Sequence, residues 1–264
     1  MPVPGIRSRV LLALAVVAAV AAGGASQAPP SAAELVQRIL QSDPWGLGDA
    51  EVAARALIRV RSEVTTELAF TAKSKRYDGN LTKSLLRFTG PADLAGVGFL
   101  QIQKRSGDDE RWLYLPELGR SRRIAGRTRQ SAFMGTDFSY ADLDRRDLRD
   151  SVAVLKEEES VDGVPCWRID ASPNASDSSY SRLEIWLRKD NSVPVVWRMY
   201  ARSGVRVKTL EAKELRQVSG RWFMVRSTMT NHADGRVTEL VLDRIRATSQ
   251  IPDREFTLGA LEKS

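Results

Sequence analysis

The chain has 264 residues, a formal net charge of +7, 42% hydrophobic residues, one histidine and one cysteine. Zinc sites need Cys and His in sets, and a Ser-His-Asp arrangement would rest on His232 alone, with no G-x-S-x-G nucleophile motif in the chain. Nothing matches a P-loop or G-x-G-x-x-G, so the composition reads as a protein that is not an enzyme and carries no cofactor or metal.

Arg7 and Arg9 precede an unbroken apolar run from Val10 to Ala22, followed by Gly23, Gly24 and Ala25. This is the layout of a secretory signal peptide. At 13 residues the apolar core is shorter than the roughly 20 that a membrane span requires. Cleavage after Ala25 removes residues 1–25 and leaves 26–264 as a single domain, with the net charge lowered from +7 to +5 by the loss of Arg7 and Arg9. The only cysteine, Cys166, does not lie at the end of the signal, so no lipoprotein anchor is expected. The expected compartment is the periplasm, where nucleic acid is not a partner and an anionic lipid surface or an acidic protein could meet the positive charge.

Residues 31–42 predict a short amphipathic helix with Leu35, Val36, Ile39 and Leu40 on one face, Ser31 and Glu34 as a capping box, and Pro44 as its stop. From about Ala56 onward, strands alternate with turns. The breaks are at Asp78-Gly79-Asn80, Gly90-Pro91, Ser106-Gly107-Asp108, Asp162-Gly163, Ser172-Pro173-Asn174, Asp190-Asn191, Ser203-Gly204, Ser219-Gly220 and Asp234-Gly235. Strands near 180–189, 193–202, 205–217, 221–232 and 236–247 follow one another through tight turns, which forces antiparallel neighbours and an up-and-down meander.

Alternation assigns the faces. Leu183, Ile185 and Leu187 face one way, and Arg182, Glu184 and Arg188 the other. Val195, Trp197 and Met199 share a side opposite Arg198 and Tyr200. Val205 and Val207 alternate with Arg206 and Lys208, and Leu240 and Leu242 with Glu239 and Asp243. Parity puts Trp186 with Glu184 on the wetter face, and leaves open which of Trp222 and Phe223 points inward. A long sheet with one apolar face must close, be capped or hold an apolar ligand. With only 31–42 and a segment near 130–148 available as helices, Leu183, Ile185, Leu187, Val195, Trp197, Met199, Leu240 and Leu242 are candidates to line an apolar cavity, although a packed barrel core would show the same pattern.

Between the halves stand Trp112-Leu-Tyr-Leu-Pro116, Gly119-Arg-Ser-Arg-Arg-Ile124 and Phe133-Met-Gly-Thr-Asp-Phe-Ser-Tyr-Ala-Asp-Leu143, preceded by Phe88-x-x-Pro91 and Gly96-x-Gly98-Phe-Leu100. They read as strand, turn, strand, then a loop entering a helix N-capped by Ser139 with Asp142 in its first turn. This text resembles the outer-membrane lipoprotein-sorting, LolA-like family. The resemblance spans most of residues 31–260. It implies a mainly β (α+β) fold, an incomplete, strongly curved antiparallel β-barrel whose open side is plugged by short helices. It also implies a periplasmic carrier that binds a lipoprotein acyl chain or another lipid in an apolar concavity and ferries it between membranes, with an inner-membrane exporter as a further partner. The alternative is a non-catalytic adaptor or structural partner of a membrane transport complex.

Other polar features read more plainly. Glu157-Glu158-Glu159 and Asp108-Asp109-Glu110 are expected to be solvated faces, and Cys166 a buried structural thiol. Arg120, Arg122, Arg123, Arg127 and Arg129 form a basic cluster. It reads as a solvated hairpin paired with Asp137, Asp142 or Asp144. As the second reading, Arg120, Arg122, Arg123 and Arg127 dock a partner or anionic head groups.

Overall fold

The structure, a computed structural model, describes Met1 and residues 29–42, 48–79, 81–143 and 146–263. Beyond Met1, the signal segment expected at 1–25, together with the helix stop at Pro44 and Asp144, lies outside these residues. Helix α1 (Ala32–Ser42) begins as expected: the Ser31 amide donates to Glu34 Oε2 at 2.7 Å and the Glu34 amide to Ser31 Oγ at 3.2 Å. Leu35, Val36 and Ile39 are buried.

A first run of strands comprises β1 (Ala50–Val60), β2 (Glu63–Tyr77), β3 (Leu81–Gly90), β4 (Gly98–Ile102), β5 (Glu110–Leu115) and β6 (Arg120–Arg123). After a loop and the short helix α2 (Arg146–Arg149) come β7 (Ser151–Leu155), β8 (Glu159–Val161), β9 (Val164–Pro173), β10 (Arg182–Arg188), β11 (Pro194–Tyr200), β12 (Arg206–Val218), β13 (Arg221–Asn231) and β14 (Val237–Ala247), and then helix α3 (Leu258–Leu261). All join one antiparallel sheet in the order β6-β5-β4-β3-β2-β1-β14-β13-β12-β11-β10-β9-β7, with β8 beside β9. The first strand pairs with the last, so two meanders fuse into one curved sheet that stays open between β6 and β7. Register shifts in six of the strand pairs, among them β1–β14 and β10–β11, add local twist to the curvature. This is the incomplete barrel expected, and the five C-terminal strands fall where the turn signals put them.

The main core lies on the concave face. It is completed by α1 and by the loop after β6, which contributes Ile124, Phe133, Phe138 and Tyr140, with Leu148 from α2. The loop is held by its own sequence. Phe133 and Phe138 bond through their backbones at 2.7 Å, and the Thr136 hydroxyl donates to Phe133 O at 2.6 Å. Met134 and Gly135 turn the chain at positive φ. The Asp137 amide then donates to Thr238 Oγ1 on β14, and that hydroxyl returns a bond to Asp137 Oδ2. The loop therefore crosses the opening and ties onto the far strands.

The chain after β14 straps the outer face. Ile251, Phe256 and Leu261 pack on Leu85, Leu100 and Tyr114, and Arg87 donates to the carbonyls of Ala260 and Leu261. Gly98 leaves room for this strap, since a Cβ there would lie 2.7 Å from Leu261 Cδ1.

Several expectations are corrected. The outer face of β9–β11 is only partly wet: Arg182 and Arg198 stay partly exposed, but Glu184 and Trp186 are both buried, Trp186 in a second apolar cluster with Cys166, Val193, Val195 and Met224. Val195 belongs to that outer cluster because the β10–β11 register slips beside it, which breaks strict alternation. Asp109 and Arg111 form a buried ion pair at 3.3 Å, so within the 108–110 run Asp109 is not solvated, whereas Asp108 is exposed and Glu110 partly so. Ser139 and Asp142 do exchange capping-box hydrogen bonds, but the backbone there makes a turn, and the helix assigned is α2 alone. β9 continues through Ser172 and Pro173, so that break begins at Asn174, and Val205 is exposed just before β12. Trp222 is half exposed while Phe223 is fully buried, which decides that pair.

Truncating the strap anchor tests this packing. Leu261→Ala should cost about 2–5 kcal/mol, the usual range for a fully buried Leu, read as a lower urea midpoint. It should also speed proteolytic cleavage in the residues after Ala247.

Candidate ligand cavity

The concave face is not filled. Between it and the covering loop remains a cavity of about 200 Å³, larger than the roughly 150 Å³ apolar cavities that stay dry and take up benzene. Its walls come from both halves of the sheet: Ala56, Leu68, Phe70, Leu86, Phe88 and Phe99 on one side, and Leu183, Trp197, Met199, Leu210, Met229, Leu240 and Leu242 on the other. Ile39 of α1 and Phe133, Phe138, Leu143 and Leu148 of the crossing segment close it. Phe88, Phe99, Phe133 and Tyr140 pack edge to face or tilted, with centroids 5.2 to 6.0 Å apart, which braces the loop against β3 and β4.

Of the eight sequence candidates, Leu183, Trp197, Met199, Leu240 and Leu242 line the cavity. Ile185 and Leu187 are fully buried in the same core without lining it. Val195 lies in the outer cluster. The indole N–H of the lining residue Trp197 is buried and finds no acceptor among the described residues. The N-terminal wall was not singled out from sequence, although Thr82, Ser84, Leu86 and Phe88 recur at the period of two that marks a common face of β3.

Two carboxylates reach the cavity, and both are held by neighbours. Asp142 accepts from Lys208 Nζ at 2.7 Å and from the Tyr180 hydroxyl at 2.6 Å. Burial and Asp142 keep the Tyr180 phenol protonated well above the ordinary tyrosine range. Asp147 accepts from the Ser178 hydroxyl and faces Arg146. Arg146 is also bonded to Asp108 at 2.9 Å and to Asp177 at 2.7 Å. No Lys, Arg or His among the described residues lines the cavity.

Outside it, the basic cluster divides. Arg129 is buried and bonded to Asp177. Arg120, Arg122, Arg123 and Arg127 are exposed along and just after the edge strand β6. Asp137 and Asp142 are committed to Arg236 and Lys208. Among the described residues these four arginines have no ion-pair partner, so the hairpin is not neutralised in the way expected. Cys166 is buried, and burial raises its thiol pKa. His232 sits in the turn after β13, 2.8 Å from the Thr209 hydroxyl, with its pKa lowered by burial and Arg206. Among the described residues no group of three or more His, Cys, Asp or Glu could hold a metal ion.

The fold has relatives among solved structures. A family model described as "-like: Uncharacterized protein" matches residues 80–263. An outer membrane lipoprotein-sorting protein domain from Vibrio parahaemolyticus superposes with a TM-score of 0.80 at 28% identity, over 87% of this chain and 97% of that one. The chain shares its fold with outer-membrane lipoprotein-sorting and LolA-like proteins. A DUF1329 family protein from Desulfovibrio piger is similar to the same degree, with a TM-score of 0.80 at 25% identity over 88% of this chain and all of that one. A LolA superfamily protein from Nitrosomonas europaea shares the fold, with a TM-score of 0.68 at 17% identity over 87% and 98%. A search of curated proteins finds no match. In this LolA-like chain the FMGTDFSY segment is the loop that crosses the open side of the barrel, with Thr136 and Asp137 as pins and Phe133 and Phe138 as cavity wall.

Arg146 holds the Asp177 carboxyl below the ordinary carboxylate range. Because the folded value is depressed, the stabilisation is present above the unfolded value of about 3.8 and is lost as pH falls through the folded value. Asp177→Asn should therefore lower the unfolding midpoint at pH 7, and the deficit should vanish in denaturation curves taken below the folded value.

Proposed function

We propose that this LolA-like chain is a non-catalytic periplasmic carrier, one domain spanning residues 26–264 after a signal peptide at 1–25. It holds the acyl chain of a lipoprotein or another lipid in the concavity and ferries it between membranes. The observation that supports this most directly is the unfilled cavity with its largely apolar wall. A sheet serving only as scaffold gains by filling such a space, since each unfilled void forfeits packing energy. An acyl chain entering it regains that energy at about 0.8 kcal/mol per buried methylene. The relation to the lipoprotein-sorting domain from Vibrio parahaemolyticus points the same way.

In this reading Leu183, Trp197, Met199, Leu240 and Leu242 contact the chain, while Ile185 and Leu187 support the wall from behind. The four unpaired arginines Arg120, Arg122, Arg123 and Arg127 dock the edge of the sheet on an anionic membrane surface, where each basic residue near the surface contributes about 1 kcal/mol. An inner-membrane exporter is the natural donor or acceptor of the cargo.

Native mass spectrometry with lipid extraction, on protein purified from a periplasmic fraction, tests the carrier reading. A bound acyl species is expected, and it should disappear from Leu240→Asp, whose carboxylate would enter the cavity, provided circular dichroism shows the variant folded. A protein recovered empty that also fails to take up acyl probes would instead make it an adaptor of a transport complex. Separately, Arg122→Ser with Arg123→Ser should weaken binding to anionic liposomes several-fold at low salt. Unchanged binding would remove the docking role.

A further inference from the structure

One end of the cavity inverts the usual rule for a sheet. On the concave face, rows of side chains run across β2, β3, β4 and β5 in register. Ala72 opposes Leu86, which opposes Phe99, which opposes Leu113, an apolar row. In the next row Ser74 opposes Ser84 and Ser84 opposes Gln101. Thr82 and Gln103 follow, joined by two hydrogen bonds at 3.0 Å, Gln103 N to Thr82 O and Thr82 N to Gln103 Oε1. Ser74, Thr82, Ser84, Gln101 and Gln103 all line the cavity, although Ser74, Gln101 and Gln103 are more than nine-tenths buried. On the convex face of the same strands, Leu85 and Leu100 are covered by the C-terminal strap. Here the sheet turns hydroxyls and carboxamides inward and leucines outward.

A packed core has no use for this arrangement, because buried polar groups need partners. The hydroxyls of Ser74, Thr82 and Ser84 make no hydrogen bond among the described residues. The Gln103 carboxamide uses only its oxygen, which leaves its NH₂ donors for a guest. The charges that reach the cavity are two carboxylates, Asp142 and Asp147, whose cations Lys208 and Arg146 stand outside the lining, and Arg111, which opposes Gln101 in the same row, is paired with Asp109. A phosphate or free carboxylate carried inward would meet hydrogen-bond donors, but Lys208, Arg146 and Arg111 are already paired with carboxylates and none of them lies in the lining.

We infer that this row is a head-group subsite selecting a neutral, hydrogen-bonding head, an ester- or hydroxyl-bearing glyceride linkage, over an anionic one. The inference rests on the carrier reading and specifies its cargo. The acyl chains run along the phenylalanine-lined part of the cavity, while the glyceride oxygens accept from Ser74, Thr82, Ser84 and the Gln103 amide. A free acylglycerol and the diacylglyceryl end of a lipoprotein share this chemistry.

Competition binding with three probes of matched chain length tests it: a monooleoylglycerol, a dioleoylglyceryl-cysteinyl peptide, and oleate at pH 8. The unsubstituted protein should bind at least one neutral probe ten-fold or more tighter than oleate, and the tighter of the two identifies the source. The triple variant Ser74→Ala, Thr82→Val, Ser84→Ala should lose about ten-fold for the neutral probes and change little for oleate. Oleate binding as tightly as both neutral probes in the unsubstituted protein would overturn the subsite and leave the carrier standing, a result that needs no variant. Failure of all three probes to bind would overturn the carrier reading and the subsite with it.

Discussion

The hydrogen-bonded pairing of β1 with β14 is the constraint on which the rest of this molecule depends. Ten residue pairs from Ala50–Ala247 to Arg59–Val237 join the start of the sheet to its end. Without that seam the chain would be two separate meanders, each with an apolar face to hide. With it, both faces become the two walls of one trough, and the remaining gap lies between β6 and β7. The loop carrying Phe133 and Phe138 spans the gap, anchored on β14 by Asp137 and Thr238. Two exposed edges remain, and β6 is protected from pairing with other chains by being short and rich in arginine.

The sheet is amphipathic in opposite senses along its length. Over β10–β14 the concave face is mostly apolar, lined by Leu183, Trp197, Met199, Leu210, Met229, Leu240 and Leu242. At the far end of β2–β4 the concave face carries Ser74, Ser84 and Gln101, and the convex face is the apolar one. Each convex apolar patch has its own cover. The strap after β14 shields Leu85 and Leu100, and Trp186 is hidden by its neighbours, the Glu159 carboxylate that accepts from its indole, and the guanidinium groups of Arg168 and Arg198 lying against its ring. The outer surface can therefore be partly apolar without presenting a large sticky patch.

Charge is sorted just as sharply. The segment that closes the trough is stitched by buried or half-buried pairs, with Arg146 at the centre of Asp108, Asp147 and Asp177, and Arg129 sharing Asp177. Such a network fixes geometry more than it adds stability, since desolvation offsets much of the attraction. Its consequence for the cavity is a lining with two carboxylates and no cation. Outside it, Arg120, Arg122, Arg123 and Arg127 form a cluster without an ion-pair partner among the described residues.

The sequence by itself determined the local grammar. The Ser31–Glu34 box, the turns at Gly79, Gly163, Gly204, Gly220 and Gly235, and the five C-terminal strands were legible because capping, positive φ and alternation are nearest-neighbour properties. The family likeness was legible in the ordered run of motifs from Trp112 to Leu143. What only the tertiary structure decided is which strands meet and what covers each face. Alternation names two faces without saying which is wet, so Glu184 and Trp186 read as exposed although the tertiary packing buries them. A slipped register moved Val195 out of the wall, and the polar inner row was invisible because Ser74, Ser84 and Gln101 are adjacent only across strands. Those outcomes depend on pairings between distant residues and on the curvature of the whole sheet, which no local pattern encodes.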